Sequence, residues 1–415
     1  MRDMLGREEA LSVGEARQRI AAHLSFKPHG VSLPIADSYG RVLSGEIYSP
    51  EDLPAFARST VDGFAVKAAD TFGATETLPA YLNVAHETLM GQKPDFSVKR
   101  GSGARIPTGG MLPDGSDAVV MLEYVQQVNE GLIEVVRPVA PGENVIAAGE
   151  DVRKGELILR EGHLLRPQDV AALAGVGITE VTVYERPAVA IISTGDEIVP
   201  AARALQPGQV RDINAYNLAG LVLNSGGVPL RKGIFRDEYA TIRSAVEESL
   251  REASIVIITG GSSVGVMDMT AKIIDSLGPP GVLFHGVALK PGKPTIGGMA
   301  GGIPVFGLPG HPAAVTVCFE LFVRPVLTVL TGIREKEFLR PGTVKAKMAK
   351  NVSSGAGREE HVRVAIKERN GEFWAEPVLG KSGLVRTLVM ADGTVTVPPQ
   401  VRGIEEGQIV EVKLF

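Results

Sequence analysis

Near the start of the chain apolar residues recur at helical spacing, at Ala16, Ile20 and Leu24, behind Ser12-Val13-Gly14-Glu15. That spacing predicts one buried helix face, and a serine followed three residues later by glutamate closes the first turn as a capping box. From Val31 the pattern changes to short apolar runs broken by proline and glycine, which predicts strands. Helical spacing returns only in a short segment over 168–175. Between them, 53–66 is irregular, polar and rich in turns, and 104–123 joins two loops to a strand.

At Arg186-Pro187 the pattern changes again. Continuous apolar strands over 188–192, 228–234 and 255–258 alternate with helices over 213–223 and 238–250. Such alternation predicts a mostly parallel sheet with helices on both faces. A further strand follows from Val305, then a turn at Leu308-Pro309-Gly310-His311-Pro312 and a long apolar helix to Leu330. Beyond Thr331-Gly332 the reading is all β. Val362, Val364 and Ile366 alternate with His361, Arg363 and Lys367, Asn370-Gly371 is a hairpin turn, and Val410, Val412 and Leu414 alternate to the end.

Composition narrows the class. A chain of 415 residues with 44% hydrophobic and 22% charged residues is globular, with about three domains at roughly 150 residues each. Its net charge of -5 gives no basic field for nucleic acid. One cysteine, Cys318, excludes an internal disulfide and a CxxC metal site, and its apolar neighbours predict a buried, inert thiol. The N-terminus lacks a signal-peptide core, and no apolar run reaches about 18 residues. A cytoplasmic protein without a membrane partner is expected.

The candidate chemistry lies where strands of the parallel sheet end, since ligands of such sheets bind beyond the carboxyl ends. One strand runs into Gly260-Gly261-Ser262-Ser263-Val264-Gly265, with Asp268 at the expected start of a helix. A glycine loop before a helix offers backbone N–H groups and a favourable dipole to an anion. Lys290 and Lys293 follow on a turn stiffened by Pro291 and Pro294, compact cations suited to phosphate or a tetrahedral oxyanion. Asp196 and Glu197 leave another strand after Thr194-Gly195, where carboxylates reach a ligand or a Mg²⁺ ion, or simply cap the next turn. Together these residues point to phosphate-ester chemistry. Taken alone, Asp62, Thr108 and His311 read as turn residues. The chain has neither a P-loop nor a Gly-x-Ser-x-Gly elbow.

Seven motifs in order carry a family resemblance. They are Ser59-Thr60-Val61-Asp62-Gly63-Phe64-Ala65, Arg105-Ile106-Pro107-Thr108-Gly109-Gly110, Gly142-Glu143-Asn144 with Gly149-Glu150-Asp151, and Ser193-Thr194-Gly195-Asp196-Glu197. The 260–265 loop with Asp268, the Lys-Pro-Gly-Lys-Pro turn and Gly307-Leu308-Pro309-Gly310-His311-Pro312 complete the set. In that order the chain resembles the molybdopterin molybdenumtransferase (MoeA) family, and is similar also to the gephyrin E domain.

The resemblance implies a multidomain α/β and β protein. Residues 1–52 with 139–184 would form a linker domain, 53–138 an inserted β-rich domain, 185–332 an α/β domain like the molybdopterin adenylyltransferase, and 333–415 a small β-barrel. It implies an elongated homodimer with a shared active site, in which adenylylated molybdopterin is hydrolysed, AMP leaves and molybdate enters the dithiolene with the help of Mg²⁺. By motif position Asp196, Glu197 and Asp268 would hold the metal or place water. Thr194, Gly195, Gly260, Gly261, Ser262, Ser263, Gly265, Lys290, Lys293, Pro294, Pro309, Gly310, His311 and Arg358 would bind cofactor and oxyanion. Asp62 and Thr108 would reach over from the partner subunit. The adenylyltransferase and apo-molybdoenzymes are the further partners implied.

Two departures from the family pattern stand out. His311 and Ala314 replace Asn and Ser in the Gly-x-Pro loop, and a barrel serine aligns with Leu384, Ser382 being nearby. A preference for tungstate over molybdate is one consequence to test. The competing readings are an adenylyltransferase, a non-enzymatic pterin-binding scaffold and, from the anion loop alone, a phosphatase.

Overall fold

A computed structural model describes residues 10–25, 29–260, 264–334 and 342–415. Its centre is a six-stranded sheet in the order Val228–Phe235, Ala188–Thr194, Ile255–Gly260, Ile303–Leu308, Ile296–Ala300, Gly281–His285. The first four strands are parallel; Ile296–Ala300 runs antiparallel to both its neighbours, so Gly281–His285 shares the direction of the first four. The apolar runs are continuous because both faces are covered. Val189, Ile191, Ile255 and Ile257 face one core, with Leu218 and Val222 of the helix Asn214–Asn224 and with Phe306, Phe319 and Phe322. Ala190, Ile192, Val256 and Ile258 face the other, against Ile242, Val246, Ile273 and Ile274. Each side chain of this kind removed from water contributes about 1.5–3 kcal/mol.

The first helix, Val13–Ala21, has the expected capping box at Ser12 and Glu15. Its apolar stripe packs on the α/β region. Val13, Ala16 and Ile20 enter the α/β core beside Phe284 and Phe322, and Arg19 Nη1 donates to Leu283 O at 3.0 Å. An amphipathic stripe tells which face is buried but not against what. The segment 104–123 also differs from the expectation, with strands at both ends, Ser102–Ile106 and Ala118–Met121. Both belong to a six-stranded sheet that includes Gly63–Val66.

A third core gathers Leu43, Leu165, Leu173 and Val183 around the helix Pro167–Gly175. His163 and Asp169 are buried there and bond at 2.8 Å. Burial works against the Asp169 carboxylate, yet hydrogen bonds from Arg166 and His163 hold it below the usual carboxylate range.

Near the C-terminus five strands close a barrel: Glu359–Arg369, Glu372–Pro377, Thr343–Met348, Ile409–Leu414 and Gly393–Val397, which returns to the first. The short strand Leu289–Lys290 of the α/β region pairs parallel with Glu359–Arg369, at Leu289↔Glu359 and Lys290↔Glu360. The lysine turn is thereby stitched to the barrel.

The helical stretch from Pro312 is interrupted by a π-turn at Phe319–Val323 and ends at Leu330. By length and composition Pro312–Leu330 is apolar enough to cross a membrane, but 67% of it is buried inside the protein. It is a core helix here, with Glu320 and Arg324 paired at 2.7 Å. Cys318 lies within it, fully buried, its thiol pushed up to about 12 by burial despite a Thr295 hydroxyl 3.0 Å away.

Candidate functional site

The parallel strands Ala188–Thr194 and Ile255–Gly260 end side by side, with Thr194 opposite Gly260. Gly260 has φ +141°, and a Cβ there would stand 1.9 Å from the Thr194 carbonyl oxygen. Only glycine lets the second strand turn away at this closeness. Gly195, at φ +145°, makes the matching turn on the first strand.

A polar network ties these ends to the next helix. Ser193 Oγ donates to Asp212 Oδ2 at 2.7 Å, while Asp212 Oδ1 accepts from Ala215 N at 3.0 Å. Asn214 Nδ2 donates to Gly310 O at 2.8 Å and to Thr259 Oγ1 at 3.2 Å. Together these bonds frame a cavity of about 330 Å³ lined by Thr194, Glu197, Asn214, Gly260, Gly310 and His311, among others. Thr194 Oγ1 and Asn214 Oδ1 are buried without a hydrogen-bond partner among the described residues. Unpaired buried oxygens of this kind are costly, and both can accept a hydrogen bond from water or a ligand in the cavity.

Across the Gly310–His311 turn lies a second cavity, of about 720 Å³, at the junction of the α/β region and the barrel. Lys290, Lys293, Pro294, Pro309 and Arg358 line it, together with Arg363, Lys381 and Ser382. Gly310 and His311 belong to both cavities. His311 Nδ1 and Ser382 Oγ are 2.9 Å apart, so a hydrogen bond closes the partition from the barrel side. Lys290 Nζ pairs with Glu360 Oε1 at 2.7 Å. Lys293 has no ion pair among the described residues, and Arg363, 8% exposed, keeps an unpartnered Nε and is held below its usual arginine range by burial. The Lys-Pro-Gly-Lys-Pro turn packs on the core: a Cβ at Gly292 would meet Cys318 Sγ at 2.5 Å.

The acids sit on the other side. Asp196 and Glu197 are consecutive but part company: Glu197 lines the 330 Å³ cavity, and Asp196 lines an outer one of about 690 Å³ with Tyr216, Arg231 and Arg236. Asp237, leaving the strand Val228–Phe235, donates its backbone N–H to Asp196 Oδ1 at 3.4 Å. Burial, then the charges of Asp196 and Glu197, raise the Asp237 carboxyl above its ordinary value. Asp268 lies in the second turn of the helix Val264–Ser276 rather than at its start, and its Oδ1 is buried without a partner among the described residues. No group of three or more His, Cys, Asp or Glu side chains poised to hold a metal ion occurs among the described residues.

Of the other expected residues, Gly261, Ser262 and Ser263 lie outside the described residues, and Gly265 is in the first turn of that helix. Asp62 and Thr108 are brought together, Asp62 Oδ1 accepting from Thr108 N at 2.8 Å and from Thr108 Oγ1 at 3.1 Å. Their exposed pair belongs to the inserted sheet and lines neither cavity. Leu384, assigned the barrel serine's place, is 53% exposed and off the cavity. Ser382, two residues earlier, does line the cavity and reaches His311.

Sequence reasoning also missed Asp237, Asn214 and Glu360. Asp237 was findable: it leaves a parallel strand, the same signal that picked out Asp196. Glu360 was not, since only the folded chain brings the barrel to the lysine turn.

Comparison with known proteins agrees along the chain. Residues 11–177 match the MoeA N-terminal region (domain I and II), 190–329 a probable molybdopterin binding domain, and 345–415 the MoeA C-terminal region (domain IV). The molybdopterin molybdenumtransferase of Bacillus subtilis is 33% identical over 416 residues, 99% of this chain and 96% of that protein. The crystal structure of a molybdopterin biosynthesis MoeA protein from Pyrococcus horikoshii superposes with a TM-score of 0.84 at 38% identity, over 98% of this chain and 99% of the other.

Proposed function

Because the chain belongs to the MoeA family of molybdenum cofactor biosynthesis, we propose that it hydrolyses adenylyl-molybdopterin, releases AMP and inserts molybdate into the freed dithiolene. The observation that carries this reading is the meeting of an acid-bearing cavity and a cationic one at a single turn, Gly310–His311. The first suits a phosphoanhydride, the second a tetrahedral oxyanion. A substrate lying across the turn would present both reacting ends at once.

The residues have distinct tasks. Glu197 and Asp268 orient the water that attacks the anhydride phosphorus, whose bond to the pterin phosphate breaks as AMP departs. Thr194, Gly195, Gly260 and the 261–265 loop hold the substrate's phosphates. Lys290, Lys293 and Arg358 hold molybdate near the sulfurs, a task suited to compact cations and a planar fork. Of the three expected acids, Glu197 and Asp268 would hold Mg²⁺, Asp196 lining the outer cavity instead. The orphaned Asp268 Oδ1 fits such an ion, and Mg²⁺ is usually held by one or two carboxylates with substrate phosphates rather than by a closed protein cage. When bound, it neutralises charge on the phosphoanhydride.

The exposed Asp62–Thr108 pair serves the site of a second copy, which makes the functional unit a homodimer. The deciding experiment follows AMP release from adenylyl-molybdopterin with Mg²⁺, with and without molybdate or tungstate. Oxyanion-stimulated release is expected. A well-folded protein that releases no AMP under any of these conditions would reject the reading.

A further inference from the structure

The junction cavity contains one residue of the wrong sign. Lys290, Lys293, Arg358, Arg363 and Lys381 line it, and Glu360 is the single acid among its described lining residues. Strand alternation places Glu360 on the same face as Val362 and Val364, which belong to the barrel core. A carboxylate 8% exposed in such a place is costly unless it is paired and hydrogen-bonded. It has both: Lys290 Nζ lies 2.7 Å from Oε1, and Ser354 Oγ donates to Oε2 at 2.8 Å.

The two partners come from different regions. Lys290 belongs to the turn of the α/β region, whereas Glu360 and Ser354 belong to the barrel. The parallel pairing of Lys290 with Glu360 sets the contact, and Glu359 N secures it by donating to Ala288 O at 2.9 Å. Lys290 is thus aimed into an anion cavity while already holding an anion. An oxyanion that enters must share the ammonium with the carboxylate or take it over.

We propose that Glu360 is the resident counter-anion of this cavity. It holds Lys290 in place when no oxyanion is bound and competes for that lysine when one arrives, so it sets the oxyanion affinity. Displaced, the carboxylate keeps its bond to Ser354 but loses its cation, and that cost is what lowers the oxyanion affinity. The inference rests on the reading of this cavity as the oxyanion site.

The test is calorimetric titration of the full chain, without pterin, using sodium molybdate as the probe. Glu360→Gln is nearly isosteric and retains a partner for Ser354, but removes the competing charge. Molybdate is expected to bind about tenfold more tightly to this variant, a change of about 1.4 kcal/mol. Against a Lys290→Ala background the same substitution should gain less than about threefold, because the lysine in dispute is gone. A merely structural role for Glu360 predicts weaker binding in both backgrounds.

Weaker or unchanged binding by Glu360→Gln, beside a wild type that binds molybdate, overturns this assignment alone. So does a gain of equal size in the Lys290→Ala background. Binding by neither protein overturns both this assignment and the oxyanion reading beneath it.

Discussion

The two sides of the Gly310–His311 turn are built from the same chain and carry opposite chemistry. On one side the strand Ala188–Thr194 and the approach to the next helix put two carboxylates, Glu197 and Asp212, on the 330 Å³ cavity beside one arginine, Arg211. On the other, the lysine turn and the barrel contribute five permanent cations against one acid. The acidic side comes from a single sheet, whereas the cationic side exists only because a barrel is docked on that sheet. A strand end collects charges on neighbouring loops, whereas here the cations of the junction cavity come from both the lysine turn and the docked barrel. The division of labour between the cavities therefore follows from architecture, and it can be attacked one side at a time.

The strongest blow falls on the acids. Glu197→Ala and Asp268→Ala should each lower AMP release by about 10²–10³-fold, the usual scale for removing one well-placed polar group from a reacting centre. Neither side chain fills an apolar core, so melting temperature should change little. A variant that loses activity only because it unfolds would mark its residue as structural. On the cationic side, Lys293→Ala should weaken molybdate binding about tenfold while leaving pterin binding unchanged, the size expected for one partly exposed charge-assisted bond. An unaltered molybdate dependence would remove Lys293 from the oxyanion site.

How far this contrast was legible in the sequence differs between the sides. The strands that end at Thr194 and Gly260 are continuous apolar runs followed by glycine and polar residues, a pattern that fixes the elements and where they end. The antiparallel strands Gly281–His285 and Ile296–Ala300 were not legible. Short, glycine-bearing segments such as Ile296-Gly297-Gly298-Met299-Ala300 have no distinctive period; their glycines make room for Phe284 at Gly297 and for Ile274 at Gly298, a fit only the folded chain shows. The first helix was legible as a helix but not as a member of the α/β core. On the cationic side Lys290, Lys293 and Arg358 carried their motifs, whereas the sequence could not show that Ser382 rather than Leu384 lines the cavity. Glu360 could not be inferred, since its meaning depends on a lysine 70 positions earlier in the chain.

The partition itself offers a smaller effect. His311 reaches across to Ser382 at 2.9 Å. His311→Asn shortens the side chain and breaks or lengthens that bond, so the wall between the cavities loosens by a fraction of a side chain. The expected outcome is a shift of about two- to fivefold in the molybdate-to-tungstate ratio during insertion, since bonds of this exposure contribute about 0.5–1 kcal/mol. Direct competition between the two oxyanions measures it. An identical ratio in wild type and variant would mean that His311 has no part in choosing the metal, and a clear molybdate preference in wild type would end the tungstate hypothesis.

The smallest effect is a stability change on the acidic side. Burial first, and then the negative charges of Asp196 and Glu197, raise the Asp237 carboxyl above its unfolded value. The folded chain therefore binds the Asp237 proton more readily than the unfolded chain does. Stability contributed by that proton is present below the unfolded value, near pH 3.9, and is lost as pH rises through the raised folded value. At neutral pH the charged carboxylate opposes folding, so Asp237→Asn should be the more stable protein. The gain is about 0.5 kcal/mol after solvent screening, or a degree or two in melting temperature. It should fade as the pH is lowered below 4. Mg²⁺ should stabilise the wild type at neutral pH by neutralising the same cluster, and stabilise Asp237→Asn less. A variant that melts lower than wild type at neutral pH would show that the crowded acids are held apart by their surroundings, and the contrast between the two cavities would then be one of shape rather than charge.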